Sequence, residues 1–184
     1  LVGVTIKTKQ KMNTLNQETI TENTEIYNRI QLLLGNASEK IIVVTAWFTD
    51  PDLLNTLIQK QKEGVPVHVV IPDQKDNNKL PFQKLIDDGG KVQKIKNSGF
   101  GMMHQKFCII DNTTIVHGSY NWTVNARKNN HESVIVSNHK ETVKELNNLY
   151  QKLIISSGEN KQKSNFFNLL KRKSAKMEKS VNEK

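Results

Sequence analysis

The sequence predicts an α/β domain built on a mixed, largely parallel β-sheet with helices on both faces. Three observations carry this. The run "KIIVVTAWF" at 40–48 is short, continuous and rich in β-branched residues, as a strand covered on both sides should be. "PVHVVIP" at 66–72 and "KVQKIK" at 91–96 repeat that character, and the segments between them carry helical signals. Strand, helix, strand, helix, strand at this spacing argues for parallel pairing through crossovers.

Along the chain, residues 2–7 allow a short strand, and 8–24 are polar without a sustained period, which reads as a loop. Ile26, Ile30, Leu33 and Leu34 recur at helical spacing. Asp50 and Pro51 have the chemistry of an N-cap and a first-turn proline, opening a helix through about Gln61 that Gly64 ends. A further helix over about 78–88 stops at Gly89-Gly90. "QKFCIID" and "TTIVHG" flank Asn112 and predict a tight hairpin. "ESVIVS" adds one more strand, and 139–155 is an amphipathic helix with Val143, Leu146, Leu149, Tyr150 and Leu153 on one side.

The chain has 184 residues, enough for one domain of 1–156 and a tail of 157–184. Lys and Arg number 27 against 18 Asp and Glu. Of the resulting +9, the tail holds +5, from eight basic residues and three Glu. Such a balance suits a polyanion, either nucleic acid or an anionic membrane surface, and the tail reads as a mobile appendage. Cys108 is the only cysteine, which excludes an intramolecular disulfide and a cysteine zinc finger. No apolar run reaches the roughly 18–20 residues that span a bilayer, so a cytoplasmic location is favoured, although a chain that opens on Leu1 leaves room for an upstream segment.

The stretch "MHQKFCIIDNTTIVHGSYNW", 103–122, concentrates the chemistry. If a strand begins near Met103, His104 and Lys106 project from one face, while Asp111 has the opposite parity at the strand's end. Gly118 and Ser119 follow the next strand, and Ser119 or Asn121 could cap a helix whose first N–H groups, with Lys106, would cradle a phosphate. A metal site from His104, Asp111 and His117 lacks compact ligand spacing. Trp122, Tyr120 and Phe100 are candidates either for stacking on bases or for the core.

The order His-x-Lys, four residues, Asp, six residues, Gly-Ser-x-Asn resembles the signature of the phospholipase D superfamily. "GFGMMHQKFCIID", "GSYNWT" and "NNHESVIV" resemble its small single-motif members, the bacterial endonuclease branch and the Zucchini-type mitochondrial members, over about residues 25–155. The membrane anchor and cysteine-rich zinc element of animal Zucchini-type proteins have no counterpart within these residues.

In-line displacement at a phosphodiester needs a nucleophile on one side of phosphorus and an acid on the other, and one histidine cannot serve both. No second His-x-Lys occurs. The resemblance implies a homodimer in which His104 of one protomer attacks phosphorus and His104 of the other protonates the leaving oxygen. It also implies that Lys106 and Asn121 neutralise the phosphoryl oxygens without a metal or other cofactor, that Ser119 binds the phosphate or steadies His104, and that Glu132 orients the histidine. Asp111, part of the motif, is expected to hold the hairpin by local hydrogen bonds. The expected activity is a metal-independent endonuclease, favouring single strands of DNA or RNA. A lipid phosphodiesterase acting on a cardiolipin-like substrate, helped by "FFNLLKRKSAKMEK" at a membrane surface, and a catalytically silent nucleic-acid-binding module are the alternatives.

Overall fold

The central strand is apolar at every position because both of its faces are covered. In the computed structural model, which describes residues 17–96 and 101–156, this strand is β2 (Ile41–Thr45), and all five residues are buried. Ile41 and Val43 enter one hydrophobic layer, and Ile42 and Val44 enter the other. Helix α1 (Asn23–Gly35) precedes β2 and buries Ile26, Ile30 and Leu34 against the first layer. Helix α2 (Pro51–Lys62) begins as its sequence requires: the Asp50 carboxylate accepts the Asp52 N–H at 3.0 Å, and Pro51 occupies the first turn, where no amide is missed. Gly64, at φ +88°, ends the passage.

Strands β3 (Val67–Pro72) and β4 (Lys91–Ile95) extend the sheet in parallel from β2. The helix expected over 78–88 is shorter: a 3-10 turn at Lys75–Asn78 and α3 (Gln83–Asp87) stand on either side of Pro81, which has no amide to continue a helix. On the other side of β2 lie β5 (Lys106–Ile110) and β6 (Thr114–Gly118), joined by a hairpin whose Asp111 and Asn112 have φ of 51° and 52°, the left-handed pair of a type I′ turn. After α4 (Val124–Lys128), β7 (Val134–Ser137) pairs antiparallel with β6, and α5 (Lys140–Ser156) covers the second layer with Val143 and Tyr150.

The sheet order is β1-β7-β6-β5-β2-β3-β4. The sheet is mixed and flanked by helices on both faces, but it is not largely parallel. Among the described strands only β2–β3 and β3–β4 run parallel, while β2–β5, β5–β6, β6–β7 and β1–β7 are antiparallel. The crossover rule holds for the first half of the chain and hairpin connectivity governs the second. Strand β1 (Gln17–Ile20) falls within the segment expected to be a loop; it is a polar edge strand with only Ile20 buried, so its sequence has no alternation to read. The strand expected at 2–7 and the tail at 157–184 lie outside the described residues.

Candidate active site

The site forms where the chain leaves β2. Residues Ala46–Phe48 are held on one side by Asn77, whose side chain is fully buried. Its Oδ1 accepts the Phe48 N–H at 2.9 Å, and its Nδ2 donates to the carbonyls of Ala46 and Pro72, both at 3.0 Å. On the other side the Trp122 N–H donates to the Trp47 carbonyl at 3.0 Å, while the Trp122 carbonyl accepts the amides of Thr49 and Asp50 at 2.8 and 3.0 Å. These bonds fix the 119–122 segment beside the exit of β2. They leave the half-buried Trp47 ring facing the start of β5.

His104 is exposed and meets Trp47 edge to face, with ring centroids 5.3 Å apart. Lys106 lies with its ammonium 5.6 Å from the same ring's centroid and donates to the His104 carbonyl at 2.9 Å. Lys106 is only 9% exposed, and burial pulls its pKa below the ordinary lysine value, with the negative charge of Glu132 acting in the opposite direction. A buried ammonium with one acceptor among the described residues keeps donor capacity for an anion. The strand begins at Lys106 rather than near Met103, so His104 occupies the approach to β5. Trp47, not strand parity alone, brings the two residues to one place.

Gly118 ends β6 against β7 so closely that a Cβ there would stand 2.1 Å from the Ser133 carbonyl oxygen. No other residue fits without parting the strands. Ser119 then exchanges backbone and side-chain bonds with the chain entering β7: its N–H donates to the Ser133 carbonyl at 3.0 Å, and its Oγ accepts the Ser133 N–H at 3.1 Å and donates to a Glu132 carboxylate oxygen. The other Glu132 oxygen accepts from Asn130 at 2.9 Å. Asn121, half-buried, has an Oδ1 with no hydrogen-bond partner among the described residues. That oxygen is an acceptor, open to a ligand that donates a hydrogen bond, while the Nδ2 hydrogens of the same amide are the group able to meet an anion.

Several expectations are corrected. Asp111 sits at the opposite end of β5 from Lys106, and its bonds are not local to the hairpin. It locks the α1–β2 connection by accepting the amides of Ser38, Glu39 and Lys40. With Asp111 there, His104, Asp111 and His117 form no ligand set, and His117 lies on the other face of the sheet, its ring against Phe107 of the second layer. Among the described residues no three His, Cys, Asp or Glu side chains gather as metal ligands do. The helix after the motif is capped by Thr123, whose hydroxyl accepts the Ala126 N–H at 3.0 Å, so neither Ser119 nor Asn121 opens it, and the expected helix-start cradle is absent at those residues. Tyr120 and Trp122 are core, each 2% exposed, and are not surfaces for stacking. Phe100 lies outside the described residues. Glu132 binds Ser119 and Asn130 rather than a histidine of this chain.

Sequence reasoning missed Trp47 and Asn77. Trp47 ends an apolar run and reads as one more core residue, and Asn77 reads as a polar loop position. The one available signal was a buried-type strand running straight into Trp, Phe and a helix cap.

A profile of the family described as "Cardiolipin synthase, PLD-like domain" matches residues 30–154. The chain belongs to the phospholipase D superfamily. It is 28% identical over 128 residues to a mitochondrial cardiolipin hydrolase of Xenopus tropicalis, covering 69% of this chain and 60% of that one. It is 32% identical over 104 residues to a phospholipase D of Rickettsia prowazekii, covering 56% and 50%. The chain thus spans about half to three fifths of these relatives. Its fold matches that of NucT from Helicobacter pylori with a TM-score of 0.68 at 23% identity, over 78% of this chain and 97% of that one. Within this phospholipase D-like domain the six motif residues divide between two places: His104, Lys106, Gly118, Ser119 and Asn121 lie with Glu132 at one end of the sheet, and Asp111 lies at the other.

Proposed function

We propose that this chain is a metal-independent phosphodiesterase that cleaves nucleic acid strands, with an active site completed by a second copy. The observation that carries the reading is the pairing of an exposed His104 with a nine-tenths-buried Lys106 across the Trp47 ring. An unprotected imidazole can reach phosphorus, and a desolvated ammonium beside it attracts phosphoryl oxygens strongly because little water screens it.

A ring nitrogen of His104 forms the bond to phosphorus as the bond to the leaving oxygen breaks. His104 of the partner subunit gives that oxygen its proton. Water then attacks the phosphohistidine, passing a proton to that second imidazole as the P–N bond breaks. The Lys106 ammonium from both copies neutralises charge on the non-bridging oxygens and the Asn121 Nδ2 donates hydrogen bonds to them, so the step needs no metal ion. Ser119 has a single hydroxyl proton and donates it to Glu132, so the pair serves as a strut for the phosphate-facing loop. A charge of +9 per chain favours a polyanionic substrate.

The likeness to the cardiolipin hydrolase supports a second reading, a lipid phosphodiester substrate for the same machinery. One experiment separates them. Wild-type and His104→Ala protein are incubated in EDTA with labelled single-stranded DNA, duplex DNA, RNA and cardiolipin vesicles, with light scattering on the same samples. Cleavage of single strands that survives EDTA, is lost with His104 and accompanies a dimer is the expected result. Cleavage of vesicles alone would transfer the proposal to lipid, loss on chelation would remove the metal-free step, and full activity from a monomer would remove the shared site. Exposed His131, at the same end of the sheet, is the acid that an unshared site would use, so His131→Ala should leave the rate unchanged.

A further inference from the structure

The start of the parallel strands, at the other end of the sheet from His104, holds a second concentration of positive charge. In the β3–β4 register His68 stands directly opposite Lys91, and on its other side opposite Ile42. Lys40, two residues before Ile42, continues that column on the same face. The face is the one covered by α5, from which the buried Tyr150 hydroxyl meets His68 Nδ1 at 2.6 Å. Lys40, His68, Lys91 and Tyr150 line a cavity of about 230 Å³ together with Gln61 and Gly89. That is room for several waters or a tetrahedral oxyanion.

No ion pair among the described residues offsets the charge of the two lysines. Of the nearby carboxylates, Glu63 pairs with Lys60, Asp88 with Lys62, and Asp111 is engaged by the Ser38 hydroxyl and the amides of Ser38, Glu39 and Lys40. Neither Lys40 nor Lys91 has an ion pair among the described residues, and the charges that act on His68 are those two lysines alone. Burial and these two cations hold the imidazole pKa down at about 4, so the ring is neutral at physiological pH. A neutral ring joined to the Tyr150 hydroxyl through Nδ1 adds no positive charge of its own to the pocket. The pocket therefore combines two cations and a neutral polar ring, and the partner it lacks is an anion.

We propose that the pocket formed by Lys40, His68 and Lys91 beneath Tyr150 binds a phosphate group. It is separate from the His104 site, at least roughly 17 Å away along a five-residue strand, and it does not depend on the cleavage reaction. The phosphate could be free or part of a nucleic acid strand, and the test distinguishes the two.

His104→Ala protein, which leaves the polymer intact, is titrated with inorganic phosphate, with a single-stranded oligonucleotide and with chloride at matched ionic strength, while the His68 ring resonances are followed by NMR. The expected result is a saturable shift with phosphate or oligonucleotide but not chloride, and a His68 pKa raised by about one unit or more, because a bound anion favours the charged ring. The K40Q/K91Q double variant should lose the shift at an unchanged melting temperature, and K40R/K91R should keep it. A response to phosphate identifies the free anion as sufficient, and a response to the oligonucleotide alone identifies the strand. A shift that chloride reproduces, a shift that survives K40Q/K91Q, or no shift with either ligand would overturn the proposal.

Discussion

The two ends of β5 use polar residues in opposite ways. At one end Asp111 is saturated: its carboxylate accepts the Ser38 amide at 3.1 and 3.0 Å, the Ser38 hydroxyl at 3.1 Å, the Glu39 amide at 2.7 Å and the Lys40 amide at 3.0 Å. At the other end, among the described residues, Lys106 is buried with one acceptor, Asn121 keeps a buried oxygen unpaired and His104 stands exposed. A motif residue whose bonds are all spent within the chain holds the fold. One whose bonds are withheld costs the fold free energy and is free for a ligand.

The sharpest way to break this contrast is to exchange a withheld residue for an apolar one of similar length. Lys106→Met should reduce phosphodiesterase kcat/KM by about a hundredfold or more, the scale of losing a transition-state charge donor. The same variant should melt at or above the wild-type temperature, because an ammonium that is 9% exposed is replaced by a side chain needing no hydration. A variant that lost activity by unfolding would show that Lys106 holds structure as Asp111 does. Trp47→Leu comes next. It keeps an apolar residue but removes the ring that both His104 and Lys106 touch, so kcat should fall about tenfold with KM nearly unchanged. A Trp47→Leu protein that kept the wild-type kcat would leave the indole with no part in positioning.

The contrast also explains what could be read in advance. Strands β2 and β3 were legible because burial on both faces forces continuous apolar runs, and α2 because Asp50 and Pro51 state its start chemically. The spacing of the motif located His104, Lys106, Ser119 and Asn121. Sequence could not show that Asp111 points its bonds at residues some 70 positions earlier. Nor could it show Asn77 bonding Ala46, Phe48 and Pro72, since a buried asparagine and a loop asparagine are the same letter. Of the antiparallel half, the β5–β6 hairpin was legible, but β1 was hidden for a related reason: it is an edge strand with one buried side chain, and its pairing with β7 is long-range.

Smaller effects belong to the saturated end. Asp111→Ala should cost about 1–2 kcal/mol, the range for hydrogen bonds to a charged group that is partly exposed, and lower the melting temperature by about 3–6 °C. Activity per folded molecule should be unchanged, because the site lies at the other end of the strand. Lost activity at full stability would place Asp111 back among the reacting groups.

The smallest effect is its dependence on acid. Burial alone would raise the Asp111 pKa, but the amides of Lys40, Glu39 and Ser38 and the Ser38 hydroxyl outweigh it and hold the carboxyl below its ordinary 3.8. A carboxyl whose folded pKa is depressed adds stability above its unfolded pKa and loses it as pH falls through the folded one. The margin of wild type over Asp111→Asn should therefore be full at pH 7 and shrink below about pH 4. Melting temperatures of both proteins from neutral pH to about pH 3 measure it directly. A constant gap would mean that the Asp111 charge contributes nothing that titrates over this range.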